Sequence, residues 1–215
     1  MSDIKFIRTL TLALGLVAAG AATAGSYDDI LVAANGDDTA KVVDLLKRGM
    51  DVNTADAEGN TLTMIAARNG NLELLNFLLT NRANPQKRNR YGDNAIMLAT
   101  FRGNMEGVRR LLDAGASPDN DGWTAMHYAA FGGHGDIATL LIDRGADLDA
   151  IAPNGQTPLM FAAGGGNLAL VQILVEADAD MDVEDYEGGT ALMLALKNGH
   201  AAVVEYLRSE GAYED

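Results

Sequence analysis

Gly59, Gly92, Gly122, Gly155 and Gly188 each open a segment built to one plan, and they stand 33, 30, 33 and 33 residues apart. A fixed period of this length marks stacked supersecondary units, each too small to bury its own apolar face. It excludes a single closed core with a central cavity. In such a chain each unit touches only its neighbours along an axis, and the product is an extended surface.

Within a unit the apolar residues are dense enough for buried helices, as in Val42, Val43, Leu45 and Leu46, and again in Leu72, Leu74, Leu75, Phe77, Leu78 and Leu79. Helices this short are marginal alone and need neighbours on both sides. The pairs Ala66-Ala67, Ala129-Ala130 and Ala162-Ala163 let adjacent helices approach closely. Gly70, Gly103, Gly133, Gly166 and Gly199 are placed to end the first helix of each unit, and Gly49, Gly115, Gly145 and Gly211 to end the second.

The stretch Asp121-Gly122-Trp123-Thr124-Ala125-Met126-His127-Tyr128-Ala129-Ala130-Phe131-Gly132-Gly133-His134 resembles the ankyrin repeat, whose pattern is Asp-x-x-Gly-x-Thr-Pro-Leu-His-x-Ala-Ala-x-x-Gly-His. Gly155-Gln156-Thr157-Pro158-Leu159-Met160-Phe161-Ala162-Ala163 is a second strong copy, and Gly188 to Ala195 a third. Gly59 to Ala67 and Gly92 to Ala99 are weaker but in phase. The resemblance implies an all-α repeat solenoid of helix-turn-helix units with short β-hairpin fingers. It divides the chain into a degenerate N-terminal capping repeat at 25–55, lacking an opening hairpin, and five repeats at 56–88, 89–118, 119–151, 152–184 and 185–215.

Residues 1–24 read as a secretory signal peptide: Lys5 and Arg8, then an uncharged apolar run from Leu10 to Ala22, then Ala22-Thr23-Ala24 with cleavage after Ala24. The run is shorter than the ~20 residues of a membrane-spanning helix, which favours cleavage over a retained anchor. There is no cysteine, so stability rests on stacking rather than on disulfides.

The chain carries 16 basic and 30 acidic residues, a net charge of −14. Such a protein repels nucleic acid and anionic membranes. The charge is uneven along the chain. Arg82, Lys87, Arg88, Arg90, Arg102, Arg109 and Arg110 cluster in the middle, whereas nothing basic stands between Gly145 and Leu196. In a solenoid this predicts a bipolar molecule able to orient a partner; local drift of surface charge is the alternative reading.

No residue set points to catalysis, a cofactor or a metal. His127, His134 and His200 all fall at consensus positions of the repeat. Met64, Met97, Met160 and Met193 occupy the histidine slot of the other four repeats, where core packing is expected at the expense of the histidine's hydrogen bonds. Gly164-Gly165-Gly166 lacks the lysine and hydroxyl of a phosphate loop. Asp178 to Asp182 lacks the glycine and distal glutamate of a calcium loop.

The resemblance implies that a protein partner binds through finger tips and the exposed side of the first helices. By position the finger residues are Glu58, Asn60, Arg90, Tyr91, Asp121, Trp123, Asn154, Gln156, Tyr186 and Glu187, and the first-helix residues are Arg68, Asn69, Phe101, Arg102 and Phe131. Tyr91, Phe101, Trp123 and Phe131 are expected to cluster mid-groove, a composition typical of interface anchors; local packing is the competing role. The 30-residue spacing loses its three residues in the hairpin around Ser117-Pro118-Asp119-Asn120, predicting a blunted finger and a notch beside Trp123. The expectation is an exported bacterial protein, monomeric, with polar terminal units, that binds a protein in the periplasm. The alternatives are an inhibitor or immunity protein masking an exported enzyme, and export beyond the cell to a host target.

Overall fold

The computed structural model describes residues 27–213; the signal-peptide reading of residues 1–24 lies outside them. Helix α1 covers residues 27–35 and α2 Thr39–Lys47. Five further pairs follow: α3 Leu62–Asn69 with α4 Leu72–Thr80, α5 Ala95–Phe101 with α6 Met105–Asp113, α7 Ala125–Gly132 with α8 Gly135–Asp143, α9 Pro158–Gly164 with α10 Leu168–Glu176, and α11 Ala191–Asn198 with α12 Ala201–Ser209. The first helices α3, α5, α7, α9 and α11 stack in one row, and the second helices α2 to α12 in another. The core runs continuously between the rows, from Ile30 to Ala212. No described helix is long and apolar enough to cross a membrane.

Helices α3, α5, α7, α9 and α11 each begin at a buried or half-buried Thr or Asn whose side chain accepts the backbone N–H three residues on: Thr61, Asn94, Thr124, Thr157 and Thr190. Satisfying one otherwise unpaired donor fixes where the helix starts. The Ala-Ala pairs behind these caps are buried, with Ala67 and Ala163 fully so, and set the close approach of one repeat to the next. Thr100 takes the second alanine's place in α5, and its hydroxyl is buried with no hydrogen-bond partner among the described residues.

The fingers depart from the expected β-hairpins. The one bridge among the described residues joins Ala55 and Thr61. Four fingers are tight turns closed by two backbone bonds, as in Asp56 N–H to Asn60 O at 3.0 Å and Gly59 N–H to Asp56 O at 2.9 Å. In three of them a side chain at the turn takes the donors a paired strand would have used. Asp56 Oδ1 accepts from Glu58 and Asn60 N–H, Asn89 Oδ1 from Tyr91 and Asp93, and Asp185 Oδ1 from Glu187 and Gly189. With those groups satisfied locally, strand pairing gains nothing.

The third finger is shortened as its spacing predicts. Its equivalents of the two closing bonds are absent among the described residues, and Ala125 N–H reaches back to Pro118 O at 3.1 Å instead. A further spine joins consecutive repeats behind the fingers. Asn53 accepts from Asn84 N–H (2.8 Å), Gln86 from Ser117 N–H (3.1 Å), Asp119 from Asp147 N–H (3.1 Å) and Asp149 from Asp180 N–H (2.9 Å).

Candidate partner-binding face

The face is built from two columns on the first helices. One lies at the exposed helix ends and reads Arg68-Asn69, Phe101-Arg102, Phe131-Gly132, Gly164-Gly165 and Lys197-Asn198 down the stack. The other follows the methionine/histidine slot and reads Ile65, Leu98, Tyr128, Phe161 and Leu194; all but Ile65 are half-exposed.

These columns make a continuous aromatic seam. Phe131 stacks on Phe101 at 6.4 Å between centroids, and Phe101 meets Tyr128 edge-on at 5.8 Å. Tyr128 lies 5.7 Å from Trp123, and Trp123 lies 5.0 Å from Phe161. The Tyr128 hydroxyl donates to Asp93 Oδ1 at 2.7 Å, fixing the ring. Burial, then that carboxylate, pushes its pKa well above the usual phenol range, so the hydroxyl stays protonated as a donor.

The cluster differs from the expected one. Tyr91 makes no ring contact with it among the described residues. Its hydroxyl instead accepts from Arg90 at 2.7 Å, and the guanidinium lies 4.9 Å from its ring centroid. Arg90 also pairs with Glu58 at 3.3 Å, and Arg90 N–H donates to Glu58 O at 2.9 Å, so two neighbouring fingers are tied together. The reason is register within the finger: Tyr91 precedes the turn glycine Gly92, whereas Trp123 follows Gly122, the position from which Asp93 also reaches Tyr128. Tyr128 and Phe161 complete the seam in its place. Reading each repeat's residue after the methionine/histidine slot as a column would have found them.

The remaining candidates divide into committed and open side chains. Asn60 is committed to the fingers, donating to Asp56 at 2.8 Å and accepting from Asn89 at 2.9 Å. Gln156 accepts from Asn154 at 2.9 Å, and Arg68 donates to Asn35 at 2.9 Å. Tyr91, Phe101, Phe131 and Tyr186 are 66%, 44%, 64% and 75% exposed, and no core demands them. Asp121, Glu187 and Arg102 are exposed as well. Beside the seam a groove of about 420 Å3 opens over Gly164 and Gly165, walled by Phe131, Phe161 and Leu194 with Gln156, Asn167 and Asn198 around it.

The histidines serve structure. His127 is fully buried, accepts Thr124 N–H on Nδ1 at 3.2 Å, and donates from Nε2 to Gln156 O in the next finger at 3.1 Å. Burial is the main cause of its lowered pKa, and the neutral ring fits both bonds. The methionines at this slot keep half of that pattern, since Met64 and Met160 accept the cap N–H on sulfur at 3.4 Å. Met97 keeps the other half, its sulfur accepting from Asn120 Nδ2 in the next finger at 2.8 Å. His134 and His200 start second helices without capping them, and reach back to Phe101 O and Gly164 O in the preceding repeat at 3.4 and 2.9 Å.

An ankyrin-repeat family model matches in three overlapping copies, over residues 30–118, 63–152 and 146–215. An ankyrin repeat protein of Rickettsia bellii is 32% identical over 125 residues, covering 53% of this chain and 35% of that protein. The Notch-regulated ankyrin repeat-containing protein of Xenopus laevis is 40% identical over 86 residues, covering 37% of this chain and 75% of that protein. A transient receptor potential cation channel subfamily A homolog of Caenorhabditis elegans is 33% identical over 116 residues, 52% of this chain but 10% of the channel.

Proposed function

The chain belongs to the ankyrin-repeat family, and from that premise we propose that it is a non-catalytic protein-binding module acting in the periplasm. Repeats of this family generally mediate protein–protein contacts, and a solenoid's extended surface suits that use. The observation that carries the reading is the seam on the first helices. Exposed aromatics with arginines beside them are the usual anchors of an interface, and the core does not require Phe101, Phe131 or Tyr91 to be aromatic. The periplasmic setting rests on the basic, apolar and Ala-x-Ala pattern of residues 1–24.

The test is affinity capture from periplasmic extract by the wild type and by a Tyr91→Ala, Phe101→Ala, Phe131→Ala variant. Trp123 stays in place because it packs on Phe161. One species held by the wild type and lost from the variant supports the reading. Equal retention on both, or none, contradicts it.

A narrower second reading is an inhibitor of an exported enzyme. It is favoured by the aspartate edge of the later repeats, where Asp119, Asp147, Asp149, Asp180 and Asp182 follow one another along the spine and no basic residue intervenes from 145 to 196. A tight one-to-one complex that abolishes the partner's activity would separate it from a general scaffold.

A further inference from the structure

The groove over Gly164 and Gly165 has a floor that the fold does not require. Gly164 ends α9 in ordinary helical geometry, and a Cβ there would meet only Asn198 Nδ2 at 3.6 Å and Leu194 Cβ at 3.8 Å, both comfortable contacts. Glycine near a helix end without a positive φ gives up helix stability of up to ~1 kcal/mol relative to alanine. Its neighbour in the same column, Phe131, carries a large ring. The column therefore runs aromatic, aromatic, gap, and the gap is apolar-walled.

The charges of the column are a second, independent observation. Although the protein is strongly acidic, this column carries Arg68, Arg102 and Lys197 and no carboxylate. Arg102 makes no side-chain hydrogen bond or ion pair among the described residues, while Lys197 has Asp185 as its electrostatic partner.

Resting on the binding face proposed above, we infer that the groove is a side-chain slot for an extended acidic protein segment, which inserts one aromatic or large aliphatic residue over Gly164 and sets carboxylates against Arg102 and Lys197. Repeats stack at helix-packing distance, ~8–10 Å. Arg102 is two repeats from the slot, ~16–20 Å, and Lys197 one repeat. An extended chain advances ~3.3 Å per residue, so the acids belong about five to six residues to one side of the anchor and about three to the other.

Trp123 is the chain's one tryptophan and touches Phe161 in the groove wall, so its fluorescence reports occupancy. The probe is the peptide Glu-Glu-Ser-Gly-Ser-Gly-Phe-Gly-Ser-Glu, with its reversed sequence, titrated against the full chain. The expected result is a saturable change below about 1 mM for one orientation. It weakens about tenfold or more when Phe is replaced by Ala in the peptide, when its Glu are replaced by Lys, and in Gly164→Leu and Arg102→Glu proteins. The peptide changes involve no refolding of the protein. A thermal melt of Gly164→Leu as high as the wild type's shows that its loss is occlusion. No binding by either peptide, equal binding of the alanine peptide, or undiminished binding by folded Gly164→Leu overturns the slot. If the Gly164→Leu protein also captures the extract's partner as the wild type does while the Tyr91, Phe101, Phe131 variant loses it, the slot fails and the wider face stands.

Discussion

Single side chains in this stack carry measurable consequences because each repeat reuses the same positions. Thr100 is the plainest case. Ala67, Ala130 and Ala163 fill the equivalent place, and Thr100 adds a hydroxyl that finds no partner. Thr100→Ala is expected to raise stability by about 1 kcal/mol in urea unfolding, since it removes a buried unsatisfied group and leaves a residue the stack already accepts. His127 gives a pH signature. Its folded pKa lies below the unfolded value, so its contribution is present above about pH 6.5 and is lost as pH falls through the folded value. His127→Met should cost about 1 kcal/mol at pH 7, for the bond to Gln156, and should flatten that acid loss. An identical pH profile in the variant would refute the assignment.

At the scale of helices and fingers, capping separates the repeats into two kinds. Asn71, Asn104 and Asn167 accept an N–H of their own second helix at 2.9, 3.0 and 3.1 Å, whereas His134 does not. Asn104 also donates back to Ala67 O, so asparagine keeps the link to the preceding repeat. His134→Asn should therefore stabilise by about 0.5–1 kcal/mol, read by thermal melting. Much of this scale was legible in the sequence. Period, helix pairing and the shortened finger all follow from glycine spacing, because a left-handed turn residue must recur where the chain reverses. The turn chemistry was not legible in the same way. Asp56, Asn89 and Asp185 replace strand pairing with side-chain bonds, and that choice depends on side-chain direction within a turn. The seam was half legible: Phe101, Trp123 and Phe131 follow from position, while Tyr128 and Phe161 stand one residue past the methionine/histidine slot, a place the repeat pattern does not mark for binding. Tyr91 stands apart because it precedes its turn glycine, whereas Trp123 follows its own and faces the helices.

Across the whole molecule the spine behind the fingers couples the repeats one to the next. Its donors are all backbone N–H groups, but its acceptors change from amides at Asn53 and Gln86 to carboxylates at Asp119 and Asp149. Burial raises the pKa of Asp119; the Asp147 N–H bond opposes that rise and the Asp147 charge adds to it. A raised folded pKa means that the ionised form is disfavoured in the stack, so Asp119 favours folding at low pH and loses that contribution as pH rises. Asp119→Asn should stabilise the protein at pH 7, with the gap to wild type closing as pH falls into the carboxylate range. A gap that widens on acidification would contradict this account.

The central claim is that partner binding uses the first-helix and finger side of the solenoid, and hydrogen exchange on the captured complex tests it most directly. The account predicts slowed exchange on partner binding in the fingers around Tyr91 and Gln156 and at the C-terminal ends of α5, α7 and α9, with α4, α6, α8 and α10 unchanged. Protection confined to those second helices would place the partner on the opposite side and contradict it.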